Sequence, residues 1–186
     1  ATGALPAKPD GNPKNEPLWT AAKALDAQAL GTGWDLDRRI VTINNESNAA
    51  VPFRLASLSP NQQAALNAGW SVVTPTPSAQ AVLDFLRGDK SNEGTGTTNF
   101  RVRAHTLGDI VYSAAVPVGA PSQPYDDTGN PGYPAFALAQ KSRTPMVYVG
   151  ANDGMLHAFD AVTGDERWAY IPSAVMPQLY NLADAD

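Results

Sequence analysis

The sequence predicts a mainly β fold with a few helices, ending in one antiparallel meander of four strands. Two observations predict it. Four short runs of β-branched and aromatic residues follow one another after position 109, and tight turns separate the last three. Helical periodicity and capping signals are confined to the earlier part of the chain. Such a meander has the size of one β-propeller blade, and a closed ring needs about 4–8 blades. We therefore expect a partial β-propeller preceded by a helix-containing segment, in a chain that is a fragment of a larger domain.

Composition limits the classes of function. The 186 residues include 13 Lys and Arg, 18 Asp and Glu, two His and no Cys. A net charge of −5 argues against nucleic-acid binding, which needs a concentrated surplus of basic residues. The lack of cysteine excludes thiol catalysis, disulfides and zinc–thiolate or Fe–S sites in this chain. No apolar run is long enough to predict a membrane-spanning segment.

The first half of the chain is predicted to hold a tether and a lead-in. Residues 1–17 are predicted to be a linker or flexible tether, because prolines recur every three or four positions among small and polar residues. Residues 18–99 are predicted to be a lead-in that contains helices and a hairpin. Its first helix covers residues 18–30, with Gly31 as the expected stop. A hairpin follows over residues 39–55, where two β-rich runs flank a polar loop.

Two further helices are predicted within the lead-in. Ser59 and Gln62 have the spacing of a capping box, with a proline at the first helical position, and they predict a helix that ends at Gly69. Another helix is predicted to begin near Ser78 and to end at Gly88. Four large apolar residues recur along one face of it, which indicates a buried face.

Residues 100–186 are predicted to form the first propeller blade and the start of a following excursion. The predicted strands cover residues 100–103, 110–118, 146–149, 155–159 and 166–171. An irregular loop is expected over residues 121–134, which hold four prolines and two glycines. The Asn-Asp-Gly sequence at 152–154 predicts a hairpin turn. The residues from Pro172 onward fit a helix start or an irregular excursion.

The turn between the last two strands carries a recognisable motif. Its fixed positions, in the pattern Ala-x-Asp-x-x-Thr-Gly-x-x-x-Trp, are Ala158, Asp160, Thr163, Gly164 and Trp168. Asp160 can accept backbone N–H bonds within the turn, and Trp168 offers a flat surface for packing on a neighbouring blade. The pattern resembles the tryptophan-docking motif of quinoprotein-type propellers, which is a structural device without chemistry of its own.

Separated motifs along the chain carry a second resemblance. They are Leu86-Arg87-Gly88-Asp89, Phe100-Arg101-Val102-Arg103, residues 107–113, residues 147–161, Tyr170-Ile171-Pro172 and Leu179-Tyr180. In this order they resemble the PilY/PilC family, the large tip-associated proteins of bacterial type IV pili. The likeness extends from about Arg38 to Ala183.

In that family a signal peptide and a variable region precede a C-terminal propeller, which contains an EF-hand-like calcium loop. The resemblance implies no cofactor within this chain and calcium bound downstream of it, because residues 126–130 lack the alternating oxygen ligands and distal Glu of such a loop. It also implies a cell-surface protein of the pilus tip, exported through the periplasm and the outer membrane. The implied partners are minor pilins or the pilus tip complex, and a host or abiotic surface.

Two functions from different classes follow. The resemblance implies a non-enzymatic module that promotes pilus assembly by opposing retraction and supports surface adhesion through protein–protein contacts. The alternative is a fragment of a pyrroloquinoline-quinone-dependent dehydrogenase propeller, because that class shares the docking motif. The single motif copy, the missing cysteines and the lack of a nucleophile–base–orienter set argue against the enzyme.

Some charged residues allow two interpretations. Arg87-Gly88-Asp89 spells the adhesive tripeptide that integrins recognise or, as the favoured interpretation, marks a helix end with Gly88 as its C-cap. Arg101 and Arg103 lie on one side of a predicted strand, where they fit an anionic ligand or, as the favoured interpretation, ion pairs with nearby carboxylates.

Two further groups have the same ambiguity. Asp35 and Asp37, followed by Arg38 and Arg39, suggest paired carboxylates for acid–base work or, as favoured, local ion pairs. His157 lies inside a predicted strand, where a partly buried histidine with its hydrogen bonds satisfied is favoured over a catalytic one.

Overall fold

The computed structural model of the protein describes residues 17–69, 76–94 and 100–184, so the predicted tether at 1–17 lies almost wholly outside the described residues. The α-helices within these ranges are α1 (Ala21–Ala29), α2 (Gly33–Leu36), α3 (Pro60–Ala65), α4 (Ala79–Arg87) and α5 (Tyr133–Ala139). The strands are β1 (Ile40–Ile43), β2 (Ala50–Pro52), β3 (Val116–Val118), β4 (Met146–Gly150), β5 (Leu156–Asp160) and β6 (Glu166–Ile171). Two 3₁₀ segments cover Leu55–Ser57 and Ser173–Leu182.

All six strands form one open sheet in the order β2-β1-β6-β5-β4-β3. Strands β3 to β6 pair antiparallel in sequence order, which confirms the predicted four-stranded meander. The predicted hairpin is also confirmed as β1 and β2, but β1 additionally pairs in parallel with β6. The lead-in and the blade therefore contribute to the same sheet, and residues 95–99 at their predicted boundary lie outside the described residues.

The predicted capped starts of α3 and α4 and two of the three predicted stops are confirmed, whereas α3 ends at Ala65, before the predicted stop at Gly69. The Ser59 hydroxyl accepts from the Gln62 backbone N–H, and the Gln62 side chain accepts from the Ser59 backbone N–H, which completes the capping box. Helix α4 buries its predicted apolar face and ends at Gly88, whose φ of +123° suits a residue without a Cβ. Helix α1 ends just before Gly31, as expected.

Three predictions after residue 99 are wrong. Residues 100–103 form no strand, because the Arg101 backbone N–H donates to the Ala183 carbonyl and Arg103 turns inward to Glu93. Residues 110–115 are not extended, since Tyr112 has a φ of +57°, which interrupts a strand. The irregular loop predicted over 121–134 is confirmed over residues 121–132, but its predicted end is wrong, because helix α5 begins at Tyr133 with Gly132 as its N-cap and Pro134 in its first turn.

One face of the sheet is covered by the helices. The residues that the register places on it include seven buried ones, Ile40, Thr42, Val149, His157, Phe159, Ala169 and Ile171, and two partly buried ones, Val51 and Val147. Helix α4 packs its apolar side against Ile40 and Ile171, together with the 3₁₀ segment at Ser173–Leu182. Trp19, which lies just before α1, and Leu25, which lies within it, pack against Phe159. Each fully buried large side chain contributes about 1.5–3 kcal/mol, so this face holds the core.

The opposite face is apolar and open. The register aligns Val116, Tyr148, Ala158 and Trp168 in one row and Gly150, Leu156, Tyr170 and Val41 in the next. Among these, Val116, Leu156 and Val41 are exposed, and the three aromatic side chains are only partly buried. We call these two rows the open face.

Proline protects both edges of the sheet. In β2, hydrogen bonds from Phe53 to Ile40 and from Asn44 to Ala49 place Pro52 in a pair that shares no backbone hydrogen bond, so its missing N–H points away from β1. In β3, Pro117 is the central residue. Proline cannot donate to an added strand, and short edge strands with proline resist further pairing. The open face is therefore the main remaining surface for sheet contacts.

Candidate functional site

The turn between β5 and β6 is built as the motif predicts. The Asp160 carboxylate accepts from the backbone N–H groups of Val162 at 2.9 Å and Thr163 at 3.2 Å. Hydrogen bonds from these backbone groups hold the pKa of Asp160 below its usual value. Gly164 has a φ of +83°, and a Cβ there would lie 2.6 Å from the Trp19 indole, so glycine is required on both grounds.

Trp168 lies at the centre of the open face. It pairs across the sheet with Ala158, and its ring centroid is 5.8 Å from that of Tyr148. A wide groove of about 1200 Å³ runs between this indole, the start of β6 and the outer side of α1. The geometry leaves one side of Trp168 open for a neighbouring surface. Its docking onto another blade stays a prediction.

Behind the open face lies a buried chain of four charges. Arg38 donates to the two Glu166 carboxylate oxygens from Nε at 2.7 Å and Nη2 at 2.8 Å. Glu166 bonds the Nδ1 of His157 at 2.7 Å, and His157 Nε2 contacts both carboxylate oxygens of Asp153 at 3.0 and 3.1 Å. Arg38, His157 and Glu166 are buried, and Asp153 is nearly so. We call these four residues the charge chain.

The charge chain sets the protonation of its members. Burial alone lowers the pKa of His157, but its bonds to Asp153 and Glu166 outweigh burial and raise that pKa to about 9. Burial alone raises the pKa of Glu166, but the interactions with Arg38 and His157 outweigh burial and lower that pKa to about 2. The pKa of Asp153 is also lowered, with burial opposing and His157 dominating the decrease. The chain thus alternates plus, minus, plus and minus at neutral pH.

This arrangement favours a structural role for His157. Both ring nitrogens already have carboxylate partners, so neither is free to take a proton from a substrate. The interpretation of His157 as a histidine with satisfied hydrogen bonds is confirmed, and it is fully rather than partly buried. The chain links Arg38, which precedes β1, to the strands of the meander, and so ties the lead-in to the blade.

The adhesive interpretation of Arg87-Gly88-Asp89 is wrong in this structure. Arg87 is 1% exposed, and its guanidinium donates to backbone carbonyl groups of the lead-in rather than facing solvent. The accepting carbonyls belong to Trp34, Asp35, Arg38 and Phe53. Burial, with Arg54 and Arg38 nearby, lowers the pKa of Arg87 to about 10. A receptor carboxylate cannot reach this cation, so the tripeptide is a helix end and an internal clamp.

The other charged motifs form contacts with partners that their spacing in the sequence did not identify. Arg103 pairs with Glu93 at 2.7 Å, as favoured, and lies over the Phe85 ring at 3.6 Å. Arg101 instead donates from its side chain to the Leu182 carbonyl. The ion pairs predicted between the aspartates at 35 and 37 and the arginines at 38 and 39 are wrong. Asp35 pairs with Arg54 instead, and Arg38 pairs with Glu166.

Sequence reasoning missed the charge chain as a unit. Arg38 and Glu166 are 128 positions apart, so no local spacing relates them. A weak signal existed: Glu166 and His157 are ionisable residues at inward positions of strands, where an unpaired charge would be costly.

Carboxylates at 126 and 127 serve the loop itself. Asp126 accepts from the backbone N–H groups of Thr128 and Gly129, and Asp127 accepts from Gly132. Within residues 17–69, 76–94 and 100–184, no group of three or more His, Cys, Asp or Glu side chains is arranged to hold a metal ion. The same described ranges contain no helix long and apolar enough to cross a bilayer.

Fold and site together define a β-propeller-type sheet with one open apolar face. Comparison with known proteins agrees, since residues 107–186 match the family model described as PilY1 beta-propeller domain. The chain is 42% identical over 173 residues to the type IV pilus biogenesis factor PilY1 of Pseudomonas aeruginosa strain PAK, covering 89% of this chain. It is 36% identical over 185 residues to a PilY1 homolog of Xylella fastidiosa strain Temecula1, covering 90% of this chain.

The chain belongs to the PilY1-type family of type IV pilus factors, and residues 107–186 lie in its propeller domain. It spans 14% and 15% of the length of those two relatives. No solved structure matches it significantly. The predicted partial propeller is confirmed: the sheet is one open unit of a family whose domain is a propeller.

Proposed function

We propose that this chain is a non-enzymatic part of a type IV pilus biogenesis protein, in which its sheet serves as one propeller blade. Through protein–protein contacts the whole protein would promote pilus assembly by opposing retraction and would support adhesion to a host or abiotic surface. Minor pilins or the pilus tip complex are the proposed partners. The proposed location is the cell surface and pilus tip, reached through the periplasm and outer membrane, with calcium bound outside this chain.

The open face carries this proposal. Its two rows present Trp168, Tyr148 and Tyr170 with exposed aliphatic neighbours, and no member of either row is charged. Packed sheets interdigitate such side chains at a distance of about 10 Å. The prolines at both edges disfavour growth by hydrogen bonding, so association through the face is the route that remains.

The charge chain supports the non-enzymatic part of the proposal. Arg38, Glu166 and His157 satisfy one another behind the sheet and are shielded from solvent. A reactive site instead needs a group within hydrogen-bond reach of a substrate. The names of the matched relatives state pilus biogenesis, and nothing in the structure favours the quinone-dependent dehydrogenase. A bound quinone absorbance, or alcohol oxidation with an artificial electron acceptor, would revive that alternative.

The test is made in the pilus protein that carries this chain. Leu156→Glu places a charge on the open face at a position already 37% exposed, so the chain itself tolerates it. We expect far fewer surface pili while the protein still accumulates and its near-ultraviolet circular dichroism is retained. Leu36→Glu, the same substitution at a leucine 73% exposed in α2, is the matched control and leaves pilus number unchanged. Normal piliation with Leu156→Glu would refute the role of the face.

A further inference from the structure

The insert between β3 and β4, residues 119–145, projects an apolar and uncharged surface over residues 128–140, with charged residues only before and after that stretch. No residue from 128 to 140 carries a charge, and α5 reads Tyr-Pro-Ala-Phe-Ala-Leu-Ala. None of residues 111–145 is buried, and Phe136 and Leu138 are 46% and 66% exposed. A helix that is apolar on every side belongs in an interior, and a contiguous apolar patch marks a contact surface.

The insert has its own internal order. The Tyr133 ring lies 5.1 Å from Tyr125 and 6.0 Å from Phe136, centroid to centroid. The backbone N–H of Gln123 donates to the Tyr133 hydroxyl, and Arg143 donates to the Gly119 carbonyl across the base of the insert. The surface is thus preformed, and binding it requires little ordering of the chain.

The two sides of the meander differ in a way that shows which strand is the inner one. The outer side of β6 is occupied, since β1 pairs with it and Gln28 bonds both the N–H and the carbonyl of Glu166. In a ring of blades, one terminal strand of each meander lines the central channel and the other lies at the circumference. A channel has no room for an added hairpin with its helices, so β6 is the outer strand and β3 the inner one.

We infer that residues 119–145 cover one mouth of the propeller channel, packed against the inner strands and loops of the other sheets of the same domain. The insert leaves from the end of the inner strand β3, which places its base at the channel. The matched relatives are about six times as long as this chain, enough to supply the other sheets. An uncharged apolar helix fits an apolar partner within the same domain. This inference rests on the proposed blade role.

The experiment measures thiol accessibility in the complete pilus protein. Leu138→Cys in α5 is compared with Leu36→Cys in α2, a leucine 73% exposed on the occupied β6 side of the sheet. Each variant is alkylated with a maleimide, and the modified peptide is quantified by mass spectrometry in folded and in urea-unfolded protein. We expect folding to slow modification at Leu138→Cys at least tenfold, and at Leu36→Cys less than threefold.

Equal rates at the two positions in folded protein would overturn the inference. Protection of Leu138→Cys that appears only when purified pili or lipid vesicles are added would also overturn it, because the occupant would then be a separate partner. Hydrogen exchange of the α5 amides in the unsubstituted protein repeats the test without any substitution, and fast exchange there contradicts the inference. A protected α5 together with normal piliation of Leu156→Glu would refute the proposed role of the open face in piliation and leave the channel cover standing.

Discussion

The charge chain makes a quantitative prediction about Glu166→Gln. An amide keeps the shape of the carboxylate but removes its charge, which leaves Arg38 and His157 buried without their shared anion. Removing one partner of a buried ion pair costs about 3–5 kcal/mol. For a chain of this size that loss corresponds to a decrease of ~10 °C in Tm.

The same cluster predicts how stability depends on pH. The pKa of His157 is about 9 in the folded protein, against about 6.5 in an unfolded chain. Because the folded pKa is raised, its contribution is complete below pH 6.5 and is lost as the pH rises toward 9. The total loss is about 3 kcal/mol for the unsubstituted protein. In Glu166→Gln the loss is smaller, because only Asp153 then holds the proton on His157.

Urea unfolding followed by tryptophan fluorescence at pH 6 and pH 8.5 measures both effects. Asp165→Asn is the matched control, since its exposed carboxylate adjoins Glu166 in sequence and bonds only within the turn; it should change stability by less than about 0.5 kcal/mol. The reasoning fails if Glu166→Gln unfolds within 1 kcal/mol of the parent, roughly the effect of an average substitution. It also fails if the parent is equally stable at both pH values.

Three other outcomes follow from the same structure. Arg87→Met should lower the free energy of unfolding by about 3 kcal/mol in urea titrations, because it leaves several buried carbonyls without donors. Asp89→Ala is the control and should change that free energy by under about 1 kcal/mol. Equal effects of the two substitutions would contradict the role of Arg87 as an internal clamp. Gly164→Ala should cost more than about 1 kcal/mol, because of its positive φ and the adjacent indole, while Gly129→Ala, with open space around it, serves as the neutral control. Acid titration should unfold the protein as the pH falls from about 4.5 toward 2, because Glu166 regains its proton over that range. Near-ultraviolet circular dichroism follows the unfolding. An unchanged spectrum at pH 2 would show that the lowered pKa of Glu166 contributes no stability.

Predictions that depended on neighbours a few residues away succeeded. The Ser59–Gln62 capping box, the stop at Gly88 and the Asp160 turn need only contacts within about four residues. Such bonds form in the same way whatever surrounds them, so the pattern of residue types is sufficient. The meander followed for the same reason, because its turns join strands that are adjacent along the chain.

Predictions failed where distant residues compete for a segment. Residues 100–103 have the alternation of a strand, but they form none. The Arg103 side chain instead contacts Glu93, the Phe85 ring and two backbone carbonyl groups. The positive φ of Tyr112 lies within the first part of the next predicted strand, 110–118, which therefore begins only at Val116. The adhesive interpretation of residues 87–89 failed because burial, which no tripeptide specifies, turned Arg87 inward.

The amino-acid sequence alone determined that the chain is β-rich, with capped helices, a four-stranded meander and the motif around Trp168. The tertiary structure decided that β1 lies beside β6, that Arg38 meets Glu166 and that one face of the sheet stays open. The physical reason is range. Turns and caps are stabilised within a few residues, whereas strand order and buried ion pairs depend on which distant segments exclude water together.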